Sequence, residues 1–101
     1  MHKSKPNLRS WAILVQLLKE IAAQKGISHE EIAKRTGTSQ TNITRIFGLR
    51  YRPRLDIFLN IANAIGVNLF LEDVESKTDL NKAMEKAMEQ LGRRPNKLPP
   101  N

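Results

Sequence analysis

The chain of 101 residues carries 17 Lys and Arg against 10 Asp and Glu, a formal net charge of +7, and 40% of it is apolar. A chain of that length holds one domain with one modest core and leaves little room for a buried catalytic pocket. The absence of cysteine excludes disulfides and thiolate metal ligands, and the two histidines, His2 and His29, have no local partner at ligand spacing.

No nucleophile, base and acid set stands out, so the expectation is a protein that is not an enzyme and needs no metal or other cofactor. The longest apolar run, Trp11 to Leu18, is interrupted by Gln16 and is far too short for a bilayer, which leads to the expectation of a soluble, cytoplasmic protein with no membrane partner. The positive charge is unevenly placed. Residues 1–54 hold eleven bases and three acids, net +8, whereas residues 55–101 hold six bases and seven acids, net −1. A basic half of this kind is the electrostatic footprint of a phosphate-binding face.

Taken in chain order, residues 1–7 read as a flexible basic arm with Lys3 and Lys5, ending near Pro6. From about Leu8 to Lys25 the residues Leu8, Trp11, Leu14, Val15, Leu18 and Ala22 follow helical spacing, and Ile13, Leu17 and Ile21 form a second row. That helix is apolar on more than one side, so a C-terminal element or a second subunit is expected to cover the surplus. Trp11 sits within the apolar row and reads as core rather than as a stacking surface for bases.

The stretch Ile27 to Phe47, ISHEEIAKRTGTSQTNITRIF, carries two short helical patterns joined by a turn too tight for an ordinary loop. Ser28 is placed to cap the first, with Glu30 and Glu31 in its opening turn, where the helix dipole favours negative charge. Gly37 supplies the left-handed conformation needed to leave that helix, and Ser39 caps the next. Ile32, Ala33, Thr36, Ile43 and Ile46 fall on the inward side of such a pair, and small Ala33 lets the two helices cross closely. Gln40, Thr41, Asn42, Thr44 and Arg45 are left outside. Two amides, hydroxyls and a guanidinium with no acid among them make a face able to read base edges in a major groove. His29 lies in the first turn of the first helix, within reach of a backbone phosphate; the alternative is an exposed histidine with no partner.

Next comes a basic loop with one aromatic, Gly48-Leu49-Arg50-Tyr51-Arg52-Pro53-Arg54. Pro53 stiffens it and holds Arg50, Arg52 and Arg54 extended, as suits phosphate bridging or entry into a narrow minor groove. Leu55 to Ile65 returns to helix, with Leu55, Phe58, Leu59, Ala62 and Ile65 as its stripe, Ile57, Ile61 and Ala64 widening it, and Gly66 as its stop. Val67 to Glu72 alternates in a strand-like way, and a lone strand of this kind is expected to pair with its copy in a second subunit. Ser76-Lys77-Thr78-Asp79 reads as a capped start, followed by a fifth, amphipathic helix through Leu80, Ala83, Met84, Ala87, Met88 and Leu91. Leu69, Phe70, Leu71, Met84 and Met88 are the candidate dimer or partner contacts. Residues 93–101 hold three prolines and read as a disordered tail.

Ile27 to Phe47 resembles the helix-turn-helix of the phage repressor and Cro-like family, also called XRE. The resemblance extends to a leading helix (Trp11 to Lys25), the loop Arg50 to Arg54, and a fourth helix ending in a Gly-Val step (Leu55 to Val67). It implies an all-α, lambda-repressor-like domain of four core helices over residues 8–67. Residues 68–92 then add the short extended strand and the fifth helix for dimerisation. Ala33, Gly37, Ile43 and Ile46 match the family's packing positions, and Gln40, Thr41, Asn42 and Arg45 fall where such repressors contact bases. His29 and Ser39 match positions that touch phosphate, as Thr44 is expected to do, and Arg54 matches one that approaches the minor groove. Phe47 stands where the family often has an acid that pairs with an arginine, and Ala22 lies roughly where that arginine would be, an apolar exchange that need not cost stability. The implied function is a sequence-specific regulator of transcription in a bacterium or phage, a homodimeric repressor on a palindromic double-stranded operator. The alternative is an antitoxin whose C-terminal segment also binds a toxin.

Overall fold

The computed structural model describes residues 10–92, and among them it contains five helices: α1, Trp11–Gln24; α2, His29–Thr36; α3, Gln40–Phe47; α4, Leu55–Ile65; and α5, Leu80–Gly92. The expected N-terminal arm, Leu8 and the tail from residue 93 lie outside the described residues. The chain divides into two compact units, one reaching Asn68 and one beginning at Leu69.

In the first unit α1 is built from strong helix formers without Gly or Pro, and it buries Val15, Leu18 and Ala22 at three- and four-residue spacing. Trp11, Leu14 and Ile21 pack against the same core, whereas Ile13 and Leu17 of the second apolar row are exposed. Helix α2 packs on α3 and α4, and α1 packs on α3 and α4. Their shared core is Ile32 and Ala33 from α2, Ile43, Ile46 and Phe47 from α3, and Phe58, Ile61, Ala62 and Ile65 from α4, with the three α1 residues. Each of the larger side chains contributes about 1.5–3 kcal/mol by leaving water.

The stripe of α4 differs from the expected one. Leu55 is 70% exposed and Leu59 44% exposed, and Ile61 takes their place in the core. The sequence LDIFLNIANAI offers apolar residues on more than one side, and the crossing of α4 over α1 and α2 selects the row Phe58, Ile61, Ala62, Ile65. At its end Gly66 has φ of +85°, and the Val67 N–H returns to the Ala62 carbonyl at 2.9 Å.

The expected strand over residues 67–72 is absent; this stretch is irregular, and no strand occurs among the described residues. Alternation alone cannot make a strand, because its N–H and C=O groups need a ladder partner and the described residues of a single copy offer none. The second unit starts with an irregular run and closes on Asp73, whose carboxylate accepts the N–H groups of Glu75, Lys77 and Thr78 at 2.8–3.2 Å. A hydrogen bond from the Thr78 side chain, together with these N–H groups, holds the Asp73 carboxyl below its ordinary value. Helix α5 is then capped by Asp79, which accepts the Lys82 N–H at 3.1 Å, so the cap lies at the last residue of the expected Ser76–Asp79 start.

Two cations from distant parts of the first unit converge on the C-terminus of α4. Lys25 Nζ donates to the carbonyls of Ile65 at 2.8 Å and Gly66 at 3.3 Å, and Arg35 Nη1 donates to that of Ala64 at 2.8 Å. Both satisfy carbonyls left without an intrahelical partner and oppose the negative end of the helix dipole. A Cβ on residue 66 would meet the Lys25 ammonium at 3.1 Å, a contact the flexible lysine could relieve by a small shift, so the positive φ is what calls for glycine there. Replacing Lys25 by Met keeps the aliphatic stem and removes the donors. It is expected to lower stability by about 1 kcal/mol in urea unfolding, whereas Lys19→Met on the exposed side of α1 changes it by less than about 0.5 kcal/mol.

Candidate nucleic-acid interface

Helices α2 and α3 are separated by Gly37, Thr38 and Ser39 alone. Gly37 has φ of +72° and donates its N–H to the Ala33 carbonyl, as does Thr38 at 3.1 Å, so the chain reverses with both turn N–H groups bonded back to the last turn of α2. Both helices carry the caps expected of them: Ser28 Oγ accepts the Glu31 N–H and Ser39 Oγ accepts the Asn42 N–H, each at 3.1 Å. The Ser39 hydroxyl keeps its O–H as a donor beside the first turn of α3.

Burial of Ile43, Ile46 and Phe47 orients α3. With about 100° between successive residues, Gln40, Thr41, Thr44 and Arg45 must then point away from the core, and all four are exposed. Asn42 sits half-buried at the margin of this face. The helix contains no acid, so its outward side offers hydrogen-bond donors, acceptors and one guanidinium.

His29 and Thr44, both expected beside phosphate, are bonded to each other across the helix pair, Nδ1 to Oγ1 at 3.0 Å. The imidazole also meets the Phe47 ring edge to face, with centroids 5.2 Å apart and planes at 68°. Phe47, which stands where related domains often carry an acid, is therefore a buried residue that supports His29 from below, and Ala22 is buried as well.

After α3 the chain turns sharply. Gly48 donates to the Thr44 carbonyl, Leu49 to that of Ile46 and Arg50 to that of Arg45, at 2.9–3.0 Å. Leu49 takes the left-handed conformation, φ +59°, at a cost of about 1–2 kcal/mol. Its side chain packs against the core, which offsets that cost. The turn carries Arg50 and Tyr51 back alongside α3, where Thr44, Arg45, Arg50 and Tyr51 line an open groove. The Tyr51 hydroxyl donates to Oδ1 of Asn42. Arg52 is exposed farther along the loop. Arg54 occupies the N-cap position of α4, and its guanidinium meets the Asp56 carboxylate through Nε at 3.2 Å and Nη2 at 3.0 Å. Both partners are largely exposed, so this pair is screened and weak.

In the second unit, Leu69, Phe70, Leu71, Met84 and Met88 are all exposed. Among the described residues, no group of three or more His, Asp and Glu is arranged to hold a metal ion, and no helix is long and apolar enough to cross a membrane.

Three side chains at or behind this surface have roles that sequence reasoning did not assign: Lys25 and Arg35 at the end of α4, and Tyr51 on Asn42. The cations left no local signal, because their acceptors lie 40 and 29 positions away. Tyr51 was visible as the one aromatic of a basic loop, and a phenol there asks for a polar partner.

A helix-turn-helix family model matches residues 18–71, more than half of the chain. The chain belongs to that family, in its XRE, Cro/CI-like branch, and is a DNA-binding regulator of that type. Two solved structures share the fold. One is a HipB variant in a complex with an O2 20mer, 24% identical with a TM-score of 0.62, the match covering 70% of this chain and 99% of that one. The other, described as MDT Protein, is 23% identical with a TM-score of 0.62 and coverage of 69% and 99%. No curated protein matches the chain.

The bond between His29 and Thr44 should be measurable as a coupling. A double-mutant cycle of His29→Ala and Thr44→Val is expected to give about 0.5–1 kcal/mol in urea unfolding. Additive losses would show that the two side chains do not support each other in solution.

Proposed function

We propose that the chain is a sequence-specific repressor of transcription that binds double-stranded DNA as a homodimer and lays α3 in the major groove. The observation that carries this reading is the division of α3 into a buried side, Ile43, Ile46 and Phe47, and an exposed side free of acids, bordered by Arg45 and Arg50. Gln40, Thr41, Asn42 and Arg45 are assigned to base edges. His29, Ser39, Thr44, Arg50 and Arg52 are assigned to phosphates, and Arg54 to a phosphate or the minor groove, where the DNA must compete with Asp56.

A dimer of this architecture places its two recognition helices about 34–36 Å apart, one turn of B-DNA, and so selects a palindromic operator. The exposed Leu69, Phe70, Leu71, Met84 and Met88 are assigned to the contact with the second copy. The same exposed apolar residues support a second reading, an antitoxin in which that surface also takes a toxin. Purification from native lysate separates the two: a clean homodimer favours the first, and a stoichiometric small protein partner favours the second.

The base assignment is tested with Arg45→Ala and Arg52→Ala on a selected operator and on random duplex. Arg45→Ala is expected to lose about 1–3 kcal/mol on the operator and little on random DNA. Arg52→Ala is expected to weaken both about equally and to lower the salt slope by about 1. Equal losses from the two variants on both DNAs would remove the distinction between base and phosphate contact on which the assignment stands.

A further inference from the structure

We propose that Tyr51 is a positioning residue that decides which base edge Asn42 reads, an inference that rests on the reading of α3 as the base-contacting helix. An asparagine amide presents an acceptor oxygen and a two-proton donor nitrogen, and an unconstrained one recognises adenine with both, accepting from N6 and donating to N7. Here the oxygen is engaged: the Tyr51 hydroxyl donates to Asn42 Oδ1. That contact favours the orientation with the oxygen toward Tyr51, and an adenine N6 amino group would have to share the oxygen with the phenol through its second lone pair. The nitrogen remains for the DNA. An amide that offers chiefly its two N–H donors suits an edge made of acceptors, guanine N7 and O6 or thymine O4, better than the mixed edge of adenine.

The rest of the site holds Tyr51 in this role. The backbone of Asn42 is tied to the Ser39 cap at 3.1 Å, so its side chain starts from a set position in the first turn of α3. The Arg50 N–H is bound to the Arg45 carbonyl at 3.0 Å, and Leu49 is anchored in the core, so the loop that carries Tyr51 is fastened to the same helix. Tyr51 is itself partly exposed, which leaves the Asn42–Tyr51 pair at the protein surface where a base edge can meet it.

The test is binding-site selection from random duplex with the full-length wild type, Asn42→Ala and Tyr51→Phe, followed by competition titrations at the base pair whose preference Asn42→Ala erases. Tyr51→Phe keeps the ring and removes only the hydroxyl. The wild type is expected to favour guanine or thymine at that position. Tyr51→Phe is expected to move the ratio toward adenine by about 2- to 10-fold, the worth of one ordinary hydrogen bond, with little change in affinity for its own best site. An unchanged preference in Tyr51→Phe would overturn the role given to Tyr51 while leaving α3 as the reading helix. So would a loss of affinity alike on all sequences, which would make the hydroxyl a phosphate contact. Selection of no consensus by the wild type would overturn both readings.

Discussion

Helix α3 has eight residues, too few to be stable in water by its own hydrogen bonds, and it exists because Ile43, Ile46 and Phe47 are driven into the core of the first unit. Everything at the surface follows from that burial. A helix held by one side has no freedom to roll, so the polar residues on the other side are presented in a fixed order and at a fixed height above the core. The turn at Gly37 and the serine caps set where α3 begins, and the left-handed Leu49 with its buried side chain sets where it ends. The loop after it is thereby aimed back along the helix, which is how a residue nine positions away reaches Asn42. Specificity in such a surface is a matter of pre-organisation, because side chains already in place lose less entropy when a duplex arrives.

The positive charge of the first 54 residues does more than one job. Lys25 and Arg35 close the end of α4, Arg35 also pairs with Glu31 one helical turn away, and Arg54 lies against Asp56. Lys25 and Arg35 still add to the long-range field that attracts a polyanion but are tied by local bonds and poorly placed to follow a phosphate, whereas the exposed Arg54–Asp56 pair is weak enough to be given up to one. The flexible contribution near α3 falls to Arg45, Arg50 and Arg52, which are exposed on the helix and the loop beside it. A count of bases along a sequence therefore measures attraction better than it measures contact.

Much of the helix-turn-helix was legible because its signals are local. Capping serines, acids in a first turn, a glycine at a reversal and apolar residues three and four apart each act within a few residues, and each has the expected consequence in the fold. Where the reading failed, the deciding interaction was distant. On α4 the apolar residues cover so much of the cylinder that periodicity could not choose between the row through Leu55 and Leu59 and the row through Ile61; packing against α1 and α2 chose. At residues 67–72 the alternation was real, yet a strand is a property of two segments and no second one pairs with it among the described residues. The bond from Tyr51 to Asn42 and the capping of α4 by Lys25 depend on how the loops and helices meet, which no window of sequence contains.

The second unit bears on how such a regulator would respond to its own concentration. Helix α5 spans 13 residues, and none of its side chains is buried, so on propensity alone it is marginal in water. Its apolar residues Leu80, Met84, Met88 and Leu91 recur at helical spacing, with Leu69 and Phe70 exposed before them. Under the proposed dimer, the free energy that orders this segment and the free energy that joins two chains are the same quantity, drawn from the same apolar surface. Segment order, dimer formation and occupancy of a two-part operator then rise together with protein concentration. Binding to a two-part operator would consequently be steeper in protein concentration than binding by a preformed dimer, because two chains must come together for each complex, while the ordering of each segment is unimolecular and only weakens the dimer.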